Sequence, residues 1–144
     1  MKLFAAISLA LLIASPAAAE TFTVVEHANT DTTNHIGKGA DNLGDVLTFT
    51  NPVFDAADKN EIGADQGFCI RVKPGVAYEC LWTLKLKAGQ ITVEGPFLDA
   101  GDSMLAVTGG TGKYADVRGQ MKLHARNAKG TEYDFVYTLS HAGK

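Results

Sequence analysis

Two cysteines, Cys69 and Cys80, stand symmetrically about a Pro74-Gly75 dipeptide, and this arrangement constrains the fold more than any other feature of the chain. Proline presets φ at the first central position of a tight turn, and glycine accepts the positive φ that often follows. The flanking runs, Gln66 to Lys73 and Val76 to Lys87, are rich in apolar and β-branched residues. If they pair about the turn, Lys73 faces Val76, Arg71 faces Tyr78 and Cys69 faces Cys80. Opposed side chains in an antiparallel pair hold their Cβ atoms about 4.5–5.5 Å apart, and a small adjustment brings that to disulfide geometry. Pro-Gly is not the primed turn of a two-residue hairpin, but a slightly longer loop of the same symmetry keeps the pairing. The expectation is a hairpin stapled by Cys69–Cys80.

Whether the bridge forms depends on the compartment. Lys2 is a short basic region, Leu3 to Ala14 an apolar run, Ser15-Pro16 a break, and Ala17-Ala18-Ala19 a small-residue cleavage site. The apolar run is well short of the ~20 residues of a spanning helix. Met1 to Ala19 therefore reads as a removed secretory signal, the remainder as one domain, residues 20–144, and the location as secreted or periplasmic. Two cysteines in an oxidising compartment favour a disulfide. Its short loop limits the stabilisation to roughly 2–3 kcal/mol.

Removal of the signal takes one basic residue and no acid, so the formal net charge of −3 becomes −4. The charges are mixed, with no basic run. This argues against nucleic acid, whose binding rests on a basic footprint, and against an anionic membrane surface. A hydrophobic fraction of 46% is enough for a core, and fifteen glycines suit the tight turns of an all-β fold.

In chain order, Thr21 to Glu26 predicts a first strand, and His27 to Gly44 a long, mobile loop. Asp45 to Val53 alternates, with Leu47, Phe49 and Asn51 on one face, and Pro52 is expected to end or bend it. Phe54 to Asp65 fits a helical turn or a hairpin loop. Its acids lack the spacing of a calcium loop, so a solvated loop is favoured over a metal site. In the hairpin's second strand Tyr78, Cys80, Trp82, Leu84 and Leu86 share a face, as do Ile91, Val93, Gly95 and Phe97 in the next. Ser103 to Thr108, Arg118 to Arg126 and Thr131 to Leu139 complete the set, the last with Tyr133, Phe135, Tyr137 and Leu139 on one face. Eight short strands joined mostly by tight turns predict an antiparallel up-and-down barrel, with a sandwich as the alternative. Such a barrel is filled by side chains or holds one small ligand, and the aromatic inner face suits both.

Recognisable catalytic motifs are missing. Gly110-x-Gly112-x-x-Ala115 lacks the following helix of a dinucleotide fingerprint. Gly112-Lys113-Tyr114 lacks the remainder of a phosphate loop. His27, His35, His124 and His141 have no metal-ligand spacing. No cofactor and no metal are expected.

Four ordered strings carry a resemblance: Gly44 to Asn51, Gly63 to Cys69, Gln90 to Phe97, and Ala106 to Tyr114 leading to Arg118-Gly119. Together they resemble the allene oxide cyclase barrel family and the related dirigent proteins, from about Thr21 to Leu139. The resemblance implies an eight-stranded barrel with a small-molecule cavity, assembled as a homo-oligomer, trimer or dimer. It places the family's cavity aromatics on Phe49 and Tyr78, its water-holding asparagine on Asn51, its cavity cysteine on Cys69 and its cavity tyrosine on Phe97. The first-strand glutamate falls on Thr23 and its asparagine neighbour on Val25. A dirigent arginine falls loosely on Arg118, with Asp116 nearby as its acid.

Three functions follow as expectations. The first is a barrel that binds a small apolar or phenolic molecule. The second is a cyclase, isomerase or dirigent-type enzyme acting by confinement, with Asn51 catalytic and Arg71 and Glu26 as further polar candidates. The third is a filled interaction barrel. The cavity set is Phe49, Asn51, Cys69, Arg71, Tyr78, Trp82, Phe97, Tyr133 and Phe135. No membrane contact is expected once the signal is removed.

Overall fold

Nine antiparallel strands form one sheet in the computed structural model, which describes residues 19–141. They are β1 (Glu20–His27), β2 (Thr32–Asn34), β3 (Val46–Phe54), β4 (Glu61–Lys73), β5 (Ala77–Leu86), β6 (Gly89–Leu98), β7 (Ser103–Gly110), β8 (Val117–Ala125) and β9 (Glu132–His141). Each strand from β3 to β9 pairs with the next in sequence, and β9 pairs with β1. β1 meets β3 at Val25–Phe54 and Glu26–Val53, which closes eight strands into a barrel. The three-residue β2 runs beside β3 beyond that contact, pairing Thr32 with Thr48 and Asn34 with Val46. Closure matters because an open edge leaves backbone groups unpaired. The predicted signal lies outside the described residues, apart from Ala19.

The stapled hairpin forms β4 and β5. Arg71 opposes Tyr78, Cys69 opposes Cys80, and the two cysteines are bridged. Lys73 pairs with Ala77 rather than Val76, because an irregularity between Arg71 and Lys73 shifts the register. The turn is the expected one: Val76 N–H donates to the Lys73 carbonyl (3.1 Å), and Gly75 takes φ of +67°.

Three local expectations change. Of the two outcomes expected at Pro52, β3 does not end but continues to Phe54, with a bulge just after Val53 of the kind that bends a strand. β4 begins at Glu61, five residues before Gln66, and leaves a turn at 55–60 in which Asp58 N–H donates to the Asp55 carbonyl (2.8 Å). The segment between β1 and β3 is not a free loop. It contains β2 and is tied down by two buried groups.

The first is Asp45, which is fully buried. It pairs with His35 Nδ1 (2.6 Å) and accepts from the N–H groups of Ile36 and Asn42 (both 2.9 Å). Burial pushes its carboxyl upward, but these bonds hold it well below the usual range. The second is Arg71, which forms ion pairs with Asp41 and Asp99 (both 2.6 Å) and lies 3.5 Å above the Tyr78 ring.

Alternation along each strand sends one set of side chains inward. Val24, Leu84, Ile91, Leu105, Met121, Phe135, Tyr137 and Leu139 are almost wholly buried there. Phe22 stacks on Tyr137 with centroids 5.1 Å apart and meets Tyr114 of a short 3-10 turn, Gly112–Tyr114, which helps to fill one end. Gly67 is required where β4 crosses Trp82: a Cβ there would lie 2.3 Å from the Leu81 carbonyl oxygen and 2.4 Å from the Trp82 Cβ.

Candidate functional site

The polar part of the interior is assembled from three adjacent strands. Inward parity on β1 includes Glu26, on β3 Asn51, and on β4 Asp65. The register places Asn51 opposite Asp65 and Glu26 opposite Val53, so the three side chains converge. Glu26 is 5% exposed, Asn51 1% and Asp65 0%.

Asn51 organises this cluster. Its Nδ2 donates to Glu26 Oε1 (2.7 Å) and to Asp31 Oδ1 (2.8 Å). Its Oδ1 accepts from the N–H groups of Asn29 and Thr30 and from the Thr30 hydroxyl, each at 3.0 Å. The side chain thus anchors the chain leaving β1 and presents two acids to one place. Every donor and acceptor of the amide is engaged within the protein, which fixes its orientation.

Burial, with a further upward push from Asp31, raises the Glu26 carboxyl to about 7 against the opposing hydrogen bond from Asn51. Burial and then the Glu26 charge raise Asp65 to about 9. Neither oxygen of Asp65 has a well-formed hydrogen bond. Two carboxyls buried side by side cannot both ionise without cost, so they share protons as a unit. Burial, followed by Asp65, holds the Tyr137 hydroxyl well above its ordinary value, and burial with Glu26 and Asp31 takes Tyr133 to about 12. Both phenols stay protonated at neutral pH.

Glu26 and Asp31 lie at one side of a chamber of about 30 Å³. Its walls include Phe49, Trp82, Phe97, Leu123, Tyr133 and Phe135, with Cys69 of the disulfide. That volume accommodates a group about the size of a water molecule. Phe97, Leu123 and Tyr133 also border an outer vestibule of about 190 Å³, completed by the turns after β6 and β8. Phe97 and Tyr133 meet edge to face, centroids 6.0 Å apart at 81°, between the two spaces.

Of the residues singled out from sequence, Phe49, Cys69, Trp82, Phe97, Tyr133 and Phe135 border the inner chamber, and Asn51 stands behind its acids. Tyr78 stacks on Phe97 (6.2 Å) and supports the wall from behind, while Arg71 is committed to Asp41 and Asp99. Neither borders the chamber. Arg118 is exposed and donates to the Val117 carbonyl, and Asp116 pairs with His141 (3.1 Å). On the first strand the carboxylate that reaches the chamber comes from Glu26, whereas Thr23 lies outside the core cluster. Asp31 and Asp65 went unrecognised in the sequence. The signal for Asp65 was its shared parity with Gly67, Cys69 and Arg71, concealed by starting the strand at Gln66. Asp31 had no such signal, because a loop has no period.

Residues 20–139 match the family described as allene oxide cyclase. Among solved structures, a pyocyanin demethylase is 27% identical with a TM-score of 0.72, the match covering 84% of this chain and all of that one. A pterocarpan synthase dirigent protein is 13% identical with a TM-score of 0.74, covering 88% of this chain and 97% of that one. A Diels-Alderase from Streptomyces koyangensis is 14% identical with a TM-score of 0.70, covering 88% and 70%. The last two are likenesses of fold. The family match spans the barrel from its first strand to its last, and the chain belongs to the allene oxide cyclase family.

Proposed function

We propose that this barrel works outside the cytoplasm, binds a small apolar or phenolic molecule through the vestibule, and steers its isomerisation or cyclisation by proton transfer in a confined site. The observation that carries this reading is the buried Glu26–Asp65 pair held by Asn51 beside an aromatic chamber. A carboxyl raised to about 7 can both take and return a proton near neutrality. Glu26 would remove a proton from one position of the ligand and return it at another. Asp65, protonated throughout, keeps the second charge off the pair. Asn51 is a positioning residue, since its polar atoms are spent on Glu26, Asp31 and the 29–30 backbone. The aromatic walls exclude water and limit the shapes a reactive ligand can adopt.

The Cys69–Cys80 bridge supports an oxidising location. Among the described residues no helix is long and apolar enough to cross a membrane. Self-association belongs to the same proposal, and the outward-facing Phe68, Ile70 and Val72 of β4, with Leu81 opposite Phe68, form the apolar strip that supports it.

Trp82 reports on the chamber directly. The purified mature protein is titrated with fatty-acid and phenolic probes while its fluorescence is followed, and the bound class is then assayed for turnover in wild type, Asn51→Ala and Glu26→Gln. Saturable binding with turnover lost in both variants is the expected result. Binding without turnover leaves a carrier. No response to any probe, with Trp82 shielded from quenchers, means a filled interaction barrel.

A further inference from the structure

We propose that the inner chamber takes the small cationic group of an aromatic ligand, such as the ammonium of a protonated arylalkylamine, with the ring held in the vestibule against Phe97 and Tyr133. This rests on the small-molecule reading above and specifies the ligand's charge.

The charged side chains on the walls are all acids. Glu26 and Asp31 border the inner chamber and Asp99 the vestibule, and among the described residues no lysine, arginine or histidine borders either space. Asp99 is matched by Arg71 at 2.6 Å, so the unmatched negative charge is at the inner end. Donors are scarce there. Asn51 supplies one N–H to Glu26 and one to Asp31, and both of its amide hydrogens are thereby spent. An ammonium brings three donors and the missing charge, a phenol only one donor. An anion would find no partner and would face carboxylates.

Size and surface agree. About 30 Å³ is too little for a ring and enough for an ammonium. The vestibule's 190 Å³ exceeds the roughly 150 Å³ of an apolar cavity that binds benzene. The chamber walls carry five aromatic rings, and ring faces attract a cation.

Benzylammonium and ethylbenzene have nearly the same shape and differ in charge, and phenylacetate carries the opposite charge. Each is titrated into the mature protein at pH 7.5 against Trp82 fluorescence. Benzylammonium is expected to bind about tenfold or more tighter than ethylbenzene, a preference of about 1.4 kcal/mol, and phenylacetate not to bind. Glu26→Gln and, separately, Asp31→Asn should each reduce the preference to within about threefold. Ethylbenzene or phenylacetate binding as tightly as benzylammonium would overturn the inference and leave the small-molecule reading intact, as would a preference unchanged in both variants. If these three and every fatty-acid and phenolic probe fail to bind, the reading itself falls and the inference with it.

Discussion

The carboxyl pair should make this protein's stability fall as pH rises from 7 to 9. The reference values are about 3.9 for aspartate and 4.3 for glutamate in an unfolded chain. In the folded barrel, burial raises Glu26 to about 7, and burial with the Glu26 charge raises Asp65 to about 9. Between those limits the folded state binds more protons than the unfolded state, so stability present below about pH 4 is lost on the way up. From pH 7 to 9 Asp65 alone keeps its extra proton. One proton corresponds to about 1.4 kcal/mol per pH unit, or about 3 kcal/mol across that window. Asp65→Asn is the decisive perturbation, because an amide of the same shape is neutral at every pH and can donate to Glu26. Urea unfolding followed by Trp82 fluorescence at pH 6, 7, 8 and 9 measures it, with the m-value checked for constancy. The wild-type midpoint should fall steadily from 7 to 9 and the variant's should stay level. A wild type that is flat over that range, or an Asp65→Asn protein that keeps the slope, would refute the shared-proton argument.

Asn51→Ala should cost about 2–4 kcal/mol in urea unfolding, since it strands buried Glu26 and frees the 29–30 backbone. Gly67→Ala should cost about 1–3 kcal/mol, because its Cβ meets the Leu81 carbonyl and Trp82 Cβ and the backbone must give; thermal melts decide it. The Cys69→Ala/Cys80→Ala double variant should lose about 2–3 kcal/mol by chemical denaturation, with its circular dichroism unchanged at 25 °C, as the barrel closes by hydrogen bonds elsewhere. Ile70→Lys should lower the sedimentation coefficient of any oligomer without changing the melting temperature, since Ile70 is 42% exposed on the outer face.

Strand positions were legible wherever a two-residue period met a turn signal. The face carrying Tyr78, Cys80, Trp82 and Leu84 is buried as the alternation required, and the Pro74-Gly75 turn brought the cysteines together. The same logic placed the five aromatic residues that border the chamber on the inner face, because an inward aromatic in a small barrel has few other places to be, whereas Cys69 followed from the family resemblance. It failed at β2, whose three residues are too few to show a period, and at the start of β4, where Asp and Gly read as loop.

By itself, the sequence determined the class of architecture, the bridge and the aromatic interior, because alternation, turn chemistry and residue spacing are local and survive without knowledge of partners. The tertiary structure alone decided which polar groups share the interior. Glu26, Asn51 and Asp65 are far apart in the chain and meet only because β1 closes onto β3 and β3 pairs with β4. Their protonation depends on that meeting. Desolvation and the charge of a neighbour set it, and both belong to the closed barrel rather than to any stretch of sequence.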